Sequence, residues 1–379
     1  MLYRLLVPLA HHVELFNVFR YPSFRMVLSG MLALLLGMAL GPWFIRGLAD
    51  RQYGQSNIRE DTPEQHQKKR GTPTMGGGLI LFCLTVPTLL LADLRNRSIW
   101  FVLMVTLGYG AIGFADDYLK LSKKNSKGLP GKQKLLWQTL IFFGAFVLFE
   151  TNLHFTFSLE AFPFLHVGSH LDSRIYFPFD RHLTPDLRWF YPFFGWLVVV
   201  GTSNAVNLTD GLDGLAIGPT IVSALTFGAL AWVAGSLIAG FNIANYLYLP
   251  HIEGAEELAI FCAAVAGAGI AFLWYNSYPA TIFMGDVGSL ALGGALGSLA
   301  LLTKNELLST ILDGLFLAEI LSVMIQVTSF KLTGRRVFRM APIHHHFELK
   351  GWAEPKIIVR AWIISILLSL ASLATLKLR

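Results

Sequence analysis

Charge is what this chain is short of. Only 14% of its 379 residues are Asp, Glu, Lys or Arg, 54% are apolar, and the mean hydropathy is +0.54. Ordinary globular domains carry roughly 25% charged residues, so an ordinary soluble enzyme of two or three domains is excluded. Cysteine is nearly absent. Cys83 and Cys262 sit inside apolar runs, where a thiol packs as a small hydrophobe, and they offer no disulfide or zinc framework. There is no low-complexity tract and no clear internal repeat. The first residues lack the small-residue cleavage site of a signal peptide, since His11 and His12 follow Met1–Ala10.

What is present is a series of apolar runs, at roughly 24–45, 73–92, 99–115, 135–150, 190–206, 214–235, 258–275, 287–303, 308–330 and 357–376. Each is long enough to approach or cross the hydrocarbon core. Backbone groups in lipid must bond within their own segment, so each run is expected to be a helix. The predicted fold is an all-α integral membrane protein of about ten spans, with residues 1–379 as one polytopic domain. Ten spans put both termini on one face. The loops 46–72, 116–134, 207–213, 276–286 and 331–356 share the other face and carry 18 lysines and arginines, against 11 on the termini side. The positive-inside rule makes the richer face cytoplasmic and both termini external. The longest external segment, 151–189, is rich in Phe, Pro and His and reads as an interfacial cover.

Acids are costly in such a chain, and they are not scattered. Asp116, Asp117, Asp210, Asp213 and Asp286 all fall on the predicted cytoplasmic face, with His344, His345 and His346. Asp116 and Asp117 end the third run. Neighbours on a helix point about 100° apart, so the two should take different roles, one in metal or base chemistry and one held by a lysine; Lys120 shares a face with Asp116. In 207–214, two aspartates three apart are each followed by glycine, which permits close backbone approach to a ligand. Asp286 stands alone in its turn and suits either a helix N-cap or the sparse carboxylate scheme of magnesium. Three adjacent histidines converge poorly on one zinc ion and fit hydrogen bonding to a phosphate or nucleotide better. Lys68, Lys69 and Arg70 precede glycines 76–78, but the spacing is not a Walker A, and anionic lipid would attract the same cations. Gly288, Gly293, Gly294 and Gly297 suit close helix packing. Glu319 lies within the ninth run, where an ionisable group is expensive and is either functional or a buried packing partner.

Five segments carry a family resemblance: Lys-Arg-Gly-Thr-Pro-Thr-Met-Gly-Gly (69–77), Gly-Phe-Ala-Asp-Asp-Tyr-Leu-Lys (113–120), Asn-Ala-Val-Asn-Leu-Thr-Asp-Gly-Leu-Asp-Gly-Leu (204–215), Phe-Met-Gly-Asp-Val-Gly-Ser (283–289) and Met-Ala-Pro-Ile-His-His-His-Phe-Glu (340–348). In order and content they resemble the bacterial phospho-N-acetylmuramoyl-pentapeptide-transferases, the MraY family of polyprenyl-phosphate N-acetylhexosamine-1-phosphate transferases. The resemblance covers nearly the whole chain; segment 151–189 and the N-terminal tail are less typical. It implies transfer of a phospho-sugar-peptide from UDP-N-acetylmuramoyl-pentapeptide to undecaprenyl phosphate, giving lipid I and UMP, with Mg²⁺, in a homodimer of the bacterial inner membrane.

Carried over by motif, Asp286 is the metal ligand, and Asp116 and Asp117 form a catalytic pair near the lipid phosphate, with Lys120 and Lys132 as phosphate contacts. Asn207, Asp210, Gly211, Leu212 and Asp213 line the nucleoside pocket, and Phe283 stacks on uracil. Lys69, Thr74, Asn276, Gln326, Ala341 and His344, His345 and His346 complete the substrate surface, with His344 placed in the catalytic group. Two alternatives stand beside this reading. One is a sister enzyme moving N-acetylglucosamine-1-phosphate, against which the triple histidine argues. The other is a transporter or lipid flippase, which would place its ionisable groups nearer mid-bilayer and show a repeat.

Overall fold

The structure is a computed structural model that describes residues 1–52, 71–122, 128–155, 165–169, 172–180, 182–238 and 241–377. It is a helical membrane protein. In chain order the helices are α1 (Leu2–Leu9), α2 (Pro22–Gln52), α3 (Gly77–Leu91), α4 (Arg97–Ser122), α5 (Gly131–Ala145) and α6 (Tyr191–Thr209). Then come α7 (Ile217–Gly235), α8 (Ile243–Tyr246), α9 (Glu256–Asn276), α10 (Gly285–Leu302), α11 (Glu306–Leu312), α12 (Gly314–Thr333), α13 (Ile343–Glu348) and α14 (Glu354–Ala374). Among the described residues seven are long and apolar enough to cross a bilayer, namely α2, α4, α7, α9, α10, α12 and α14, while α3 is a shorter apolar helix.

The helices track the apolar runs, with three differences. First, α4 does not stop at residue 115 but continues through Asp116 and Asp117 to Ser122. Lys120 and Lys134 both pair with Asp116, as described below, and the helix extends past the acids. Second, the ninth run is broken at Asp313 between α11 and α12. The interrupted backbone stays satisfied, because Asp313 N–H donates to Ser309 O (2.8 Å), Leu317 N–H donates to Asp313 O (3.0 Å), and Ser223 Oγ donates to Asp313 Oδ1 (2.6 Å). Third, the chain is not purely α. Thr151–Phe155 (β1) pairs antiparallel with Leu165–Ser169 (β2), and Leu237–Ile238 (β3) with Phe241–Asn242 (β4). Both ribbons lie outside the long apolar helices, where water or headgroups can satisfy an open strand edge; the first falls within the segment 151–189.

Helix α10 is the axis of the bundle. Every residue from Val287 to Leu302 is buried, and the helix packs on α3, α4, α6 and α7. Glycine permits that crowding. A Cβ on Gly293 would lie 2.6 Å from Ser203 Cα, and one on Gly297 2.7 Å from Val199 Cα, so the α10–α6 backbones approach as small residues allow in lipid. Helix α12 is the opposite case: only Phe316, Glu319 and Ser322 are buried along it, Leu315 and Ile320 pack partly on the protein, and Leu317, Leu321, Met324, Ile325, Val327 and Phe330 are exposed.

Candidate active site

Four helix ends meet at the N-terminus of α10. The last turns of α4 bring Asp116, Asp117 and Lys120, the first turn of α5 brings Lys134, the end of α6 brings Asn207, and α10 opens with Asp286. Oxygens of Asp116, Asp117 and Asp286 all lie within 4.8 Å of one another. Lys120 Nζ stands among them, 2.5 Å from Asp116 Oδ2, 3.4 Å from Asp117 Oδ1 and 3.1 Å from Asp286 Oδ2. Lys134 Nζ is 3.0 Å from Asp116 Oδ2 and 2.7 Å from Asp286 Oδ2. Asn207 Nδ2 donates to Asp286 Oδ1 (2.9 Å) and to Ser289 Oγ (2.8 Å), which fixes the carboxylate from its other side.

The three acids are not equivalent. Asp116 has no exposed side-chain surface, and the Leu129 amide donates to its Oδ1 at 2.5 Å. Asp117 is 5% exposed and accepts the Val287 N–H at 3.3 Å, one of the free donors of the α10 N-terminus. Asp286 is the most open, at 17%. Its place in the first turn of α10 lets the positive end of the helix dipole support a negative charge. Of the adjacent pair, Asp116 is the more closely paired, with both Lys120 and Lys134, while Asp117 has only the longer contact to Lys120. The adjacent pair nonetheless converges with Asp286, because the third carboxylate comes from another helix and sits between their directions.

Among the described residues, three carboxyl groups gather around two ammonium groups. All the donors are hard oxygens, and an ammonium already lies among them. This set fits a divalent cation such as magnesium, which takes few protein carboxylates and fills its shell with water and phosphate oxygen.

Beside this cluster, Phe283 N–H donates to Pro73 O (2.8 Å), and Gly76 N–H and Gly77 N–H donate to Phe283 O and Met284 O (both 2.9 Å), pairing the 73–77 strip with the turn before α10. Gly285 in that turn has φ +72°, and a Cβ there would lie 2.5 Å from Asp117 Oδ2 and 2.9 Å from Thr74 Oγ1. Glycine is what lets Asp117 and Thr74 approach one turn together. Gln52 holds Thr74 through both backbone groups, at 3.0 and 3.2 Å.

The second predicted loop braces the floor. Asp213 Oδ2 accepts from Ala280 N–H (3.0 Å), and Asn276 accepts from Gly214 N–H (2.9 Å) while donating to Ile282 O (2.8 Å). Leu212 is buried against α14. Asp210 ends α6, and its carboxyl is pushed well above the usual range by burial and then by the charges of Asp286 and Asp117. The histidines diverge. His344 is buried, its Nδ1 is 3.1 Å from Glu319 Oε2, and a Cβ on Gly211 would lie 2.4 Å from its Nε2, so ring and turn are in contact. Glu319 is therefore a buried partner of a motif histidine. His345 Nδ1 pairs with Glu348 (2.6 Å), and His346 Nδ1 accepts from Arg339 N–H (3.1 Å). The His346 imidazole is held below its ordinary value by burial and by Lys350 and Arg339. Gln326 ties down Val337 and Phe338, and Ala341 precedes Pro342 at the entry to α13.

Lys69 lies outside the described residues. Lys132 is exposed on α5, while Lys134, which sequence reading passed over, enters the cluster. Its signal was available: Lys134 and Gln138 are four apart, a polar stripe on an apolar helix. Ser289 was also missed.

The chain matches the glycosyl transferase family 4 over residues 99–304. It is 62% identical, over all of both chains, to the phospho-N-acetylmuramoyl-pentapeptide-transferase of Anaeromyxobacter sp. (strain Fw109-5). The protein of that name from Myxococcus xanthus (strain DK1622) is 58% identical over 96% of this chain and 95% of its own. That from Citrifermentans bemidjiense is 53% identical over the full length of both.

Proposed function

Because the chain belongs to glycosyl transferase family 4, among the phospho-N-acetylmuramoyl-pentapeptide-transferases, we propose that it moves phospho-N-acetylmuramoyl-pentapeptide from its UDP carrier to undecaprenyl phosphate, releasing UMP and forming lipid I. This is the membrane step that starts peptidoglycan synthesis. The full-length relatives favour it over N-acetylglucosamine-1-phosphate transfer. The observation that carries the chemistry is the carboxylate–lysine cluster on α4, α5 and α10, open at Asp286.

An oxygen of the lipid phosphate attacks the sugar-linked phosphorus, and the bond from that phosphorus to the bridging oxygen of UMP breaks. The nucleophile is a phosphate monoester with a second pKa near 6, so at pH 7 it is mostly dianionic and needs little base. Positioning and charge neutralisation supply most of the rate in such transfers. Lys120 and Lys134 offset phosphate charge, Asn207 orients Asp286, and Asp117 orients the attacking phosphate or takes its residual proton. Asp286, with Asp116 and Asp117 beside it, would hold Mg²⁺, whose charge would offset that developing on the departing UMP.

The Asp210–Asp213 turn, Asn276, Phe283, Thr74, Gln326 and the α13 histidines form the nucleotide side of the site in this reading. Ten spans with both termini outside, a homodimer and residence in the bacterial inner membrane complete the picture. The lysine and arginine balance of the loops supports that orientation. Purified protein should release UMP only when undecaprenyl phosphate and Mg²⁺ are both present. A stoichiometric UMP burst without lipid phosphate would replace the direct attack with an aspartyl-phosphate route. Competition by UDP-N-acetylglucosamine at the level of the muramoyl substrate would turn the assignment to the sister enzyme.

A further inference from the structure

One turn deeper into the bundle than the carboxylates lies a second polar cluster on the same four helices. Gln138 of α5 is fully buried. Its Nε2 donates to Ser203 Oγ (3.1 Å), and its Oε1 accepts from Asn204 Nδ2 (3.1 Å), both on α6. Its backbone carbonyl accepts from the Tyr109 hydroxyl of α4 (3.0 Å). Ser203 Oγ in turn donates to Leu290 O of α10 (2.8 Å). Gln138 is four residues from Lys134, Ser203 four from Asn207, and Leu290 four from Asp286. On a helix each pair lies on one face, a single turn apart.

We propose that Gln138 is a positioning residue for the carboxylate–lysine cluster. By tying α5 to α6, and through Ser203 to α10, it sets the relative height of Lys134, Asn207 and Asp286. Both amide ends of the side chain are used, so rotation of α5 or a slide along α6 breaks a bond in an apolar surrounding. Side-chain hydrogen bonds of this kind add little to membrane-protein stability, because the separated helices find other partners. Their effect here is on geometry. Phosphoryl transfer depends on placement to a fraction of an ångström, and a misplacement of about 1 Å can cost about 100-fold.

The inference rests on the reading of that cluster as the catalytic centre, and its test is Gln138→Leu. Leucine has similar bulk and no hydrogen-bonding group. Ser203 keeps its bond to Leu290, and Asn204 keeps its bond to Val200 O (2.8 Å), so only the Gln138 tether of α5 to α6 is cut, and the Trp196 Nε1 bond to Thr139 Oγ1 (3.0 Å) nearer the far end of α5 remains. Mn²⁺ binding without substrate, read by electron paramagnetic resonance, is expected to weaken by about 10-fold, and kcat for UMP release to fall roughly 10- to 100-fold, the range for loss of a group that orients a metal ligand. KM for the UDP-sugar and the melting temperature should stay near wild type. If Gln138→Leu does not fold, Ser203→Ala removes one of the two Gln138 bonds to α6 together with the link to Leu290, and is expected to move the same two readouts in the same direction. A variant that melts lower yet binds Mn²⁺ and turns over as wild type overturns the proposal. Wild-type protein that releases no UMP would count against the functional reading instead, and the Mn²⁺ comparison is independent of it.

Discussion

The two ends of α10 handle buried charge in opposite ways. The helix is 18 residues long, roughly 27 Å at about 1.5 Å per residue. Beyond the C-terminal end, Lys304 Nζ is 3.0 Å from Glu306 Oε1 and donates to the Tyr191 hydroxyl (2.6 Å) and to Asp172 O (2.7 Å), while Tyr191 bonds Glu306. On the same face Arg25 forks onto Glu257 at 2.8 and 2.6 Å, and Glu257 accepts from Asp93 N–H (2.7 Å). Each cation there has its own anion, and the side chains are at most 9% exposed. At the N-terminal end, three carboxylates share two lysines that are 22% and 18% exposed. Lys304 and Arg25 are closed into ion pairs, whereas the described charges at the other end are partly open. The difference separates ion pairs sealed inside the fold from a charged cluster that reaches the surface at a helix N-terminus.

Breaking the open end should abolish chemistry and leave the fold. Asp286→Ala is expected to lower UMP release by at least 10²–10³-fold, with a gel-filtration profile and melting curve like wild type; near-normal turnover at saturating Mg²⁺ would remove Asp286 from the metal site. Breaking the closed end should do the reverse. Arg25→Met strands the Glu257 carboxylate and is expected to cost about 3–5 kcal/mol of stability, seen as a lower melting temperature in detergent, while the folded fraction keeps its kcat. A fall in kcat without a change in melting would erase the distinction between the ends.

Smaller effects sharpen the contrast. Lys134→Met should reduce kcat roughly 10- to 100-fold, whereas Lys132→Met should change it less than about twofold, since Lys132 stands clear of the cluster. Equal losses would point to a general electrostatic surface. The smallest change concerns Asp210. Its folded carboxyl is raised by burial and by Asp286 and Asp117, so above the unfolded value near 3.9 the folded state binds the extra proton. Stability from this group is present at low pH and is lost as pH rises toward the folded value. Asp210→Asn should therefore melt higher than wild type at pH 8 without divalent cation, and the gap should close toward pH 4. A gap that does not change with pH would locate its cause elsewhere.

Much of the site was legible because polar groups are expensive in an apolar chain and so stand out. Asp116, Asp117, Asp286, Asn207 and Lys120 were all read from sequence and all converge. Lys134 was missed because lysine is common in basic loops, and only the start of α5 at Gly131 turns it inward. The extension of α4 past Asp116 was missed for a related reason. Hydropathy ends a span at its first acid, but Lys120 one turn further along α4 and Lys134 of α5 pair with Asp116 and the helix continues.

The sequence by itself determined the helical membrane fold, the placing of the acids at helix ends and the family, because burial in lipid leaves only short-range choices of apolar or polar at each position. The tertiary structure alone decided which acids meet, which lysine joins them, and that Glu319 holds His344. Those are contacts between helices distant in sequence. They depend on how closely glycine lets α10 approach its neighbours, and no local pattern encodes that distance.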